Sequence, residues 1–272
     1  MKCVSVVSNI KRDPNLTHTE KLVKTLLDAD VQVKMPDDCY VTSAQLVKRE
    51  ELFKDSEMVI AMGGDGTILS LANECYENDI PIFGVNIGHM GFLSAMEKDD
   101  FSQLVTSKYH IEQRLVLKAN VGDKELFALN DICISRGNSA RIISLKVYAD
   151  DKFVGTYKAD GFIVSTPTGS TAYSLSAGGP VVHPSMELII LTPVCSHSLS
   201  NSRSVIIPAT ANVRIVVQAE HDNDAVVSAD GQFGFPLKKG AVVEIMQNDK
   251  KLKLIRQENA DFFDTLRLKL QR

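Results

Sequence analysis

Apolar residues recur along this chain in two rhythms, and the change from one to the other divides it. In the first hundred residues, short apolar runs alternate with helix-spaced ones. Residues 3–8 predict a parallel strand, and Leu22, Val23, Leu26 and Leu27 fall on one helical face behind Thr17-His18-Thr19-Glu20, which has capping-box spacing. Residues 31–33 predict a short strand and 36–38 a loop. Residues 43–54, with Leu46, Val47, Leu52 and Phe53, predict a second amphipathic helix. The uniformly apolar Met58-Val59-Ile60-Ala61-Met62 suits a strand buried on both faces, and Ile68-Leu69-Ser70-Leu71-Ala72 a helix packed on one side. Residues 80–85 predict another strand and 97–106 a helix. Such alternation implies a parallel sheet.

Beyond about residue 107 the rhythm changes. Runs at 114–121, 142–148 and 213–217 are short, β-branched and partly alternating, and Asp150-Asp151-Lys152 sits between two such runs as a hairpin turn would. The expected fold class is therefore α/β plus β. An N-terminal parallel-sheet domain spans 1–106, and a mainly antiparallel β domain spans 107–250. The segment 251–272 contains apolar positions at 262–268 that allow a helix docked back on the first domain. No repeat or low-complexity linker separates the two domains.

The candidate chemistry lies in loops. Gly63-Gly64-Asp65-Gly66-Thr67 joins the apolar strand to its helix. Glycines there let the backbone turn sharply and present N–H groups to phosphate, aided by the helix N-terminus that follows. Asp65 would repel phosphate unless it faces a metal ion or a reacting hydroxyl, and phosphoryl transfer to an alcohol uses both. The strand at 80–85 ends in Asn86-Ile87-Gly88-His89-Met90-Gly91-Phe92-Leu93, a second glycine loop expected at the same carboxyl edge, where open α/β sheets bind ligands. In the β-rich half, Lys158-Ala159-Asp160-Gly161 leads into Thr166-Pro167-Thr168-Gly169-Ser170-Thr171-Ala172-Tyr173. Thr168, Ser170, Thr171 and Tyr173 can donate to ribose, phosphate or ring nitrogens.

Composition narrows the field. Thirty basic and thirty-four acidic residues leave a net charge of -4 without a long block of either sign, so nucleic acid is not an expected partner. Five scattered cysteines contain no Cys-x-x-Cys pair, which argues against a disulfide framework and a cysteine zinc site and fits the cytoplasm. The six histidines show no His-x-x-x-His spacing, and His89 and His183 are expected to be structural. No run reaches membrane-spanning length, and the amino terminus lacks a signal-peptide pattern. Phe162, Phe233 and Phe235 are expected in the core, with Phe92 open as a loop tip.

Taken together, Gly63-Gly64-Asp65-Gly66-Thr67, Asn130-Asp131, Asp160-Gly161, the Thr166–Tyr173 run and Asp230-Gly231-Gln232 resemble the NAD kinase family over nearly the whole chain. The resemblance implies a Rossmann-like N-terminal domain and a C-terminal β-sandwich. It implies transfer of the γ-phosphate of ATP, or of polyphosphate, to the 2′-hydroxyl of the adenosine ribose of NAD, giving NADP. Asp65 would be the catalytic base, with Gly63, Gly64, Gly66 and Thr67 forming the phosphate loop. NAD would be bound by Asp65, Gly66, Phe92, Asn130, Asp131, Lys158, Asp160, Thr171, Ala172, Tyr173, Ser176 and Cys195. Mg²⁺ or another divalent metal would be held mainly by the ATP phosphates, with no protein ligands assigned. A homodimer or homotetramer with sites between subunits is implied as well. Asn130-Asp131 stands where many members have Asn-Glu, and Lys158 where some have arginine.

Other readings fare less well. There is no Gly-x-x-x-x-Gly-Lys-Ser/Thr loop, no Gly-x-Gly-x-x-Gly after the first strand and no Gly-x-Ser-x-Gly elbow. A lipid kinase shares the Gly-Gly-Asp-Gly loop but needs a membrane-facing surface, for which no basic amphipathic helix is evident. A non-catalytic NAD(P)-sensing module is opposed by Asp65.

Overall fold

The computed structural model describes residues 1–39, 41, 43–88, 91–98, 101–137, 142–197, 202–218, 224–232, 234–258 and 260–270. Its contacts divide the chain into two units, 1–113 with 252–272, and 114–251. His89 and Phe233 lie outside the described residues.

The first unit is a parallel sheet built from β1 (Cys3–Ser8), β2 (Gln32–Pro36), β3 (Gln45–Val47), β4 (Val59–Gly63), β5 (Ile82–Asn86) and β6 (Met96–Glu97), with β7 (Tyr109–Arg114) at one end. The strand between β5 and β7, Leu252–Gln257, returns from far along the chain and pairs parallel to β5. The order runs β3-β2-β1-β4-β5, so the chain steps outward from β1 in one direction and then starts again on its other side at β4. The carboxyl ends of β1 and β4 therefore flank the topological switch point of the sheet. Strands β4 and β5 are buried along their whole length, which explains the apolar run of β4 and that of β5 up to its last residue, Asn86.

Helix α1 (Thr17–Leu27) buries Thr19, Leu22, Val23 and Leu26, and α2 (Asp65–Glu77) buries Thr67, Ile68, Leu71, Ala72, Cys75 and Tyr76. Three local expectations are corrected. The start of α1 is not capped by Thr17 and Glu20. Leu16 adopts a left-handed conformation (φ 53°), which brings the buried Asp13 to the helix end, where it accepts from the N–H groups of His18 (3.3 Å) and Thr19 (2.9 Å). Residues 43–54 are not one helix, because β2 offers a free edge that takes Gln45–Val47 as β3, followed by a single 3₁₀ turn at Arg49–Glu51. Leu46 is exposed there while Val47, Leu52 and Phe53 are buried. The helix expected over 97–106 shortens to α3 (Ser102–Thr106), because Met96 and Glu97 pair with β5 as β6.

The second unit is a sandwich of two antiparallel six-stranded sheets. One contains β8 (Leu117–Val121), β9 (Lys124–Ala128), β11 (Ile143–Ala149), β12 (Lys152–Ala159), β16 (Val213–Val217) and β19 (Val242–Gln247). The other contains β10 (Asp131–Arg136), β13 (Gly161–Ser165), β14 (Leu188–Val194), β15 (Val205–Pro208), β17 (Ala225–Ala229) and β18 (Gly234–Leu237). Alternate residues of both sheets, including Leu145, Val147, Phe162, Val164, Ile215 and Val227, form one core between them. Asp150 and Asp151 turn β11 into β12 with φ of 47° and 61°, the two left-handed residues of a tight hairpin. Phe162 is buried in this core and Phe235 packs against it. The single-turn α4 (Tyr173–Ser176) lies between β13 and β14, strand β20 is the returning Leu252–Gln257, and α5 (Phe262–Leu270) follows β20 within the first unit.

Candidate active site

In the first unit the phosphate-type loop lies where the sheet topology allows a ligand. Strand β4 ends at Gly63, Gly64 is extended, and α2 starts at Asp65, so the first N–H groups of the helix have no partner within it. Asp65 is half-buried. Its Oδ2 accepts the N–H of Phe92 (2.8 Å) and its Oδ1 that of Leu93 (3.1 Å). Gly91 is the residue that permits this contact, because a Cβ there would land on the Asp65 carboxylate. The two glycine loops are thus tied together by the carboxylate itself. Two donors orient the group and leave each oxygen with a lone pair able to accept a further hydrogen bond.

Thr67 is buried, its Oγ1 accepting from Asn9 Nδ2 (3.3 Å), so it braces the loop from below, while Gly66 is exposed with open space where a Cβ would stand. Phe92 is partly exposed and its ring lies 6.5 Å from that of Phe262 in α5. Among the described residues there is no cluster of three or more His, Cys, Asp or Glu side chains able to hold a metal ion.

In the second unit a cavity of about 300 Å³ is lined by Asn130, Asp131, Cys133, Ser135, Ala172, Tyr173, Ser228, Asp230 and Gly231. Asn130, Asp131, Ala172 and Tyr173 are brought together there. Asp230 organises the floor. It holds a left-handed conformation (φ 52°) and accepts the N–H groups of Leu129 (2.9 Å), Asn130 (2.7 Å) and Asp131 (3.1 Å). Gly169 packs so closely that a Cβ would strike the Asn130 carbonyl, and Thr166 Oγ1 donates to Leu129 O (2.6 Å). The hydroxyl-rich run is therefore mainly internal scaffolding. Ser170 is fully buried and exchanges hydrogen bonds with Val182, and Ser174 bonds Thr192. Thr168 is buried as well, and Thr171 Oγ1 donates back to Thr168 O (3.3 Å). Tyr173 and Ser176 are the exposed members.

Thr171, Ser176, Lys158, Asp160 and Cys195 do not line the cavity. Lys158 and Cys195 are exposed, and Cys195 turns the chain after β14 with φ 47°. Asp160 lies 3.8 Å from Arg136 Nη1. Partial burial raises the Tyr173 phenol pKa, helped by Cys133, Cys195, Asp131 and Asp160 around it, so Asp160 and Cys195 do lie near Tyr173. The role of Asp230 was not legible, since the residues it holds lie about a hundred positions earlier. Cys133, Ser135 and Ser228 carried no local signal either.

Burial, and then the Asp230 charge, push the Asp131 carboxyl up to about 7. Asp230 is also raised by burial, and its three N–H donors counter part of this. Asp131 binds a proton in the folded state that the unfolded chain releases near the ordinary carboxylate range. Stability is therefore full at low pH with respect to this group and falls as pH rises from about 4 to about 7. Asp131→Asn is expected to flatten that decline and to stabilise the protein at pH 8 by about 1–3 kcal/mol, read as a higher thermal midpoint than wild type.

A glycine-aspartate loop at the switch point of a parallel sheet, with an acid-lined polar cavity in an antiparallel sandwich, defines a nucleotide-binding protein of the phosphoryl-transfer class. Comparison with known proteins gives the family. The chain belongs to the ATP-NAD kinase family: the model of its N-terminal domain matches residues 4–113 and that of its C-terminal domain residues 129–257. The chain is 41% identical over 287 aligned positions to the NAD kinase of Thermoanaerobacter sp. (strain X514), with 99% of each chain covered. It is 40% identical over 285 positions to that of Caldanaerobacter subterraneus subsp. tengcongensis, again over 99% of each. Two solved structures share the fold at 24% identity. Yeast NADH kinase complexed with NADH superposes with a TM-score of 0.83 over all of this chain and 88% of its own. An NAD kinase from Archaeoglobus fulgidus in complex with ATP gives 0.78 over all of this chain and 99% of its own.

Proposed function

We infer that this enzyme transfers the γ-phosphate of ATP to the 2′-hydroxyl of the adenosine ribose of NAD. The observation that carries this reading is the Asp65 carboxylate, oriented by two backbone N–H groups beside a glycine phosphate loop. Asp65 takes the proton of the ribose hydroxyl as its oxygen forms a bond to the γ-phosphorus. The bond from that phosphorus to the β-bridging oxygen breaks, and ADP leaves. Gly63, Gly64, Gly66 and Thr67 shape the phosphate loop. Asn130, Asp131, Ala172 and Tyr173 hold the dinucleotide, with Thr171, Ser176, Lys158, Asp160, Cys195, Gly66 and Phe92 as further contacts.

A divalent metal such as Mg²⁺ fits this site as an ion carried by the nucleotide, since Asp65 is a single carboxylate and Mg²⁺ takes one or two carboxylates plus substrate phosphates. When bound it neutralises charge on the β- and γ-phosphates. The cytoplasm is the compartment that suits five free cysteines, one of them exposed. A homodimer or homotetramer belongs to the same reading, supported by large apolar side chains at the surface of the single chain, such as Phe153 and Ile206. Sedimentation of the active protein reads the subunit number.

The test is incubation with ATP, Mg²⁺ and NAD, with NADP followed by an NADP-specific dehydrogenase. NADP formation supports the reading. Binding of NAD without NADP would favour the sensing module, and neither binding nor turnover would turn attention to lipid acceptors. Tyr173→Ala is expected to weaken NAD binding about tenfold at an unchanged thermal midpoint, because the residue is 47% exposed and belongs to the cavity wall rather than the core. Calorimetric titration with NAD measures it.

A further inference from the structure

We propose that Arg12 is the cation that binds the phosphate being transferred, held over the glycine-aspartate loop by the turn that follows β1. The proposal rests on the phosphoryl-transfer reading above and adds to it a residue from a different loop.

Two glycines frame the side chain. The guanidinium carbon of Arg12 lies 3.5 Å, and its Nη1 and Nη2 3.6 and 3.8 Å, from the point a Cβ would occupy on Gly64. Nη1 lies 2.6 Å from the corresponding point on Gly88. The missing side chains of two loops, one after β4 and one after β5, thus leave the volume that a single guanidinium fills. The carboxyl ends of β1, β4 and β5 meet at this group.

The turn that carries Arg12 is fixed rather than free. Asn9 N–H donates to Met62 O (2.8 Å), Asn9 Nδ2 to Thr67 Oγ1 (3.3 Å), Lys11 N–H to Asn9 Oδ1 (3.1 Å) and Arg12 N–H to Asn9 O (2.9 Å). Neighbouring Asp13 is buried and spent on the start of α1, where it also accepts from Thr19 Oγ1 (2.7 Å). Among the described residues the Arg12 guanidinium has no hydrogen-bond or ion-pair partner, although it is exposed at the mouth of the loop.

A second, independent feature lies beside Gly88, one of the two glycines that frame the guanidinium. Asn86, the last residue of β5 and the sheet partner of Gly63, is 1% exposed. Its Oδ1 accepts the Gly88 N–H (3.2 Å), yet its buried Nδ2 has no partner among the described residues. A buried amide donor left unbonded is costly and marks a position where an acceptor is expected.

Asp65 alone would repel a triphosphate, whereas a planar guanidinium presents paired N–H donors matched to phosphate oxygens and stays charged at all working pH values. Arg12 therefore offsets Asp65 and supplies the positive charge that a departing phosphoryl group requires.

The experiment measures phosphate binding apart from turnover. ATP, inorganic tripolyphosphate and NAD are titrated separately by calorimetry into wild type, Arg12→Ala, Arg12→Gln and Arg12→Lys, with thermal midpoints and NADP formation recorded for each. Arg12→Ala and Arg12→Gln are expected to bind ATP and tripolyphosphate about ten- to a hundredfold more weakly, at unchanged NAD affinity and midpoint. Arg12→Lys should recover part of the loss as a point charge without the planar fork. Equal binding of ATP and tripolyphosphate by wild type and Arg12→Gln overturns the proposal, as does absence of binding by wild type. So does a parallel loss of NAD affinity and midpoint in all three variants, which would make Arg12 a structural cover for the loops. Arg12-dependent triphosphate binding without NADP formation would sink the kinase reading and leave the Arg12 assignment standing. NADP formed equally well by wild type and Arg12→Gln would do the reverse.

Discussion

Asp65→Asn is expected to lower kcat for NADP formation by about two to four orders of magnitude, the range removed with a general base. The substitution keeps the size of the side chain. It also sets an NH₂ group where one oxygen accepted from Phe92 or Leu93, so one of the two bonds at 2.8 and 3.1 Å is lost together with the proton acceptor. The loop around Gly91 then loses a tether while the strands below it remain buried. The expected signature is a large fall in kcat with a nearly unchanged thermal midpoint, measured by the coupled NADP assay and by calorimetry. Near-normal turnover would remove Asp65 from the chemistry.

Asp230→Ala carries the largest expected effect on the second unit. Three N–H groups, those of Leu129, Asn130 and Asp131, lose their acceptor at once, and alanine tolerates the left-handed φ of 52° less well than aspartate does. A destabilisation of about 2–4 kcal/mol follows, read as a lower urea midpoint at constant slope. NAD binding should fall with it, because the backbone that presents Asn130 and Asp131 to the cavity is no longer held. Asp230→Asn keeps one oxygen and a side chain that accepts the left-handed conformation, and should cost less on both measures.

The residues that sequence reasoning could place are those whose environment is local. Residues 58–62 had to be a doubly buried strand, because an uninterrupted apolar run leading into glycines has few other homes, and it is β4. The acidic turn at Asp150-Asp151 announced its hairpin for the same reason. Residues 43–54 were misjudged because helix spacing of Leu46, Val47, Leu52 and Phe53 says nothing of the open edge of β2, whose backbone bonds outweigh it. Ser170 looked like a ligand donor because its partner, Val182, is set by the fold and not by its neighbours. Asp13 displaced Thr17 as the cap of α1 only through a left-handed Leu16, which no residue type there signals. Arg12 and Asp230 share this limit: each acts on residues that only the completed sheet or sandwich brings within reach.

The division of the chain also bears on the order in which it folds. The sandwich, residues 114–251, is one uninterrupted stretch, whereas the parallel sheet lacks the strand between β5 and β7 until Leu252–Gln257 has been made. During synthesis the second unit can close while the first is still missing the interior strand between β5 and β7, although the Asp230 tether of the second unit spans about a hundred residues and slows that closure. The nascent chain therefore holds every strand of its sandwich before it holds the strand that completes the sheet under the Gly63–Thr67 loop, so closure of the first unit waits for Leu252–Gln257.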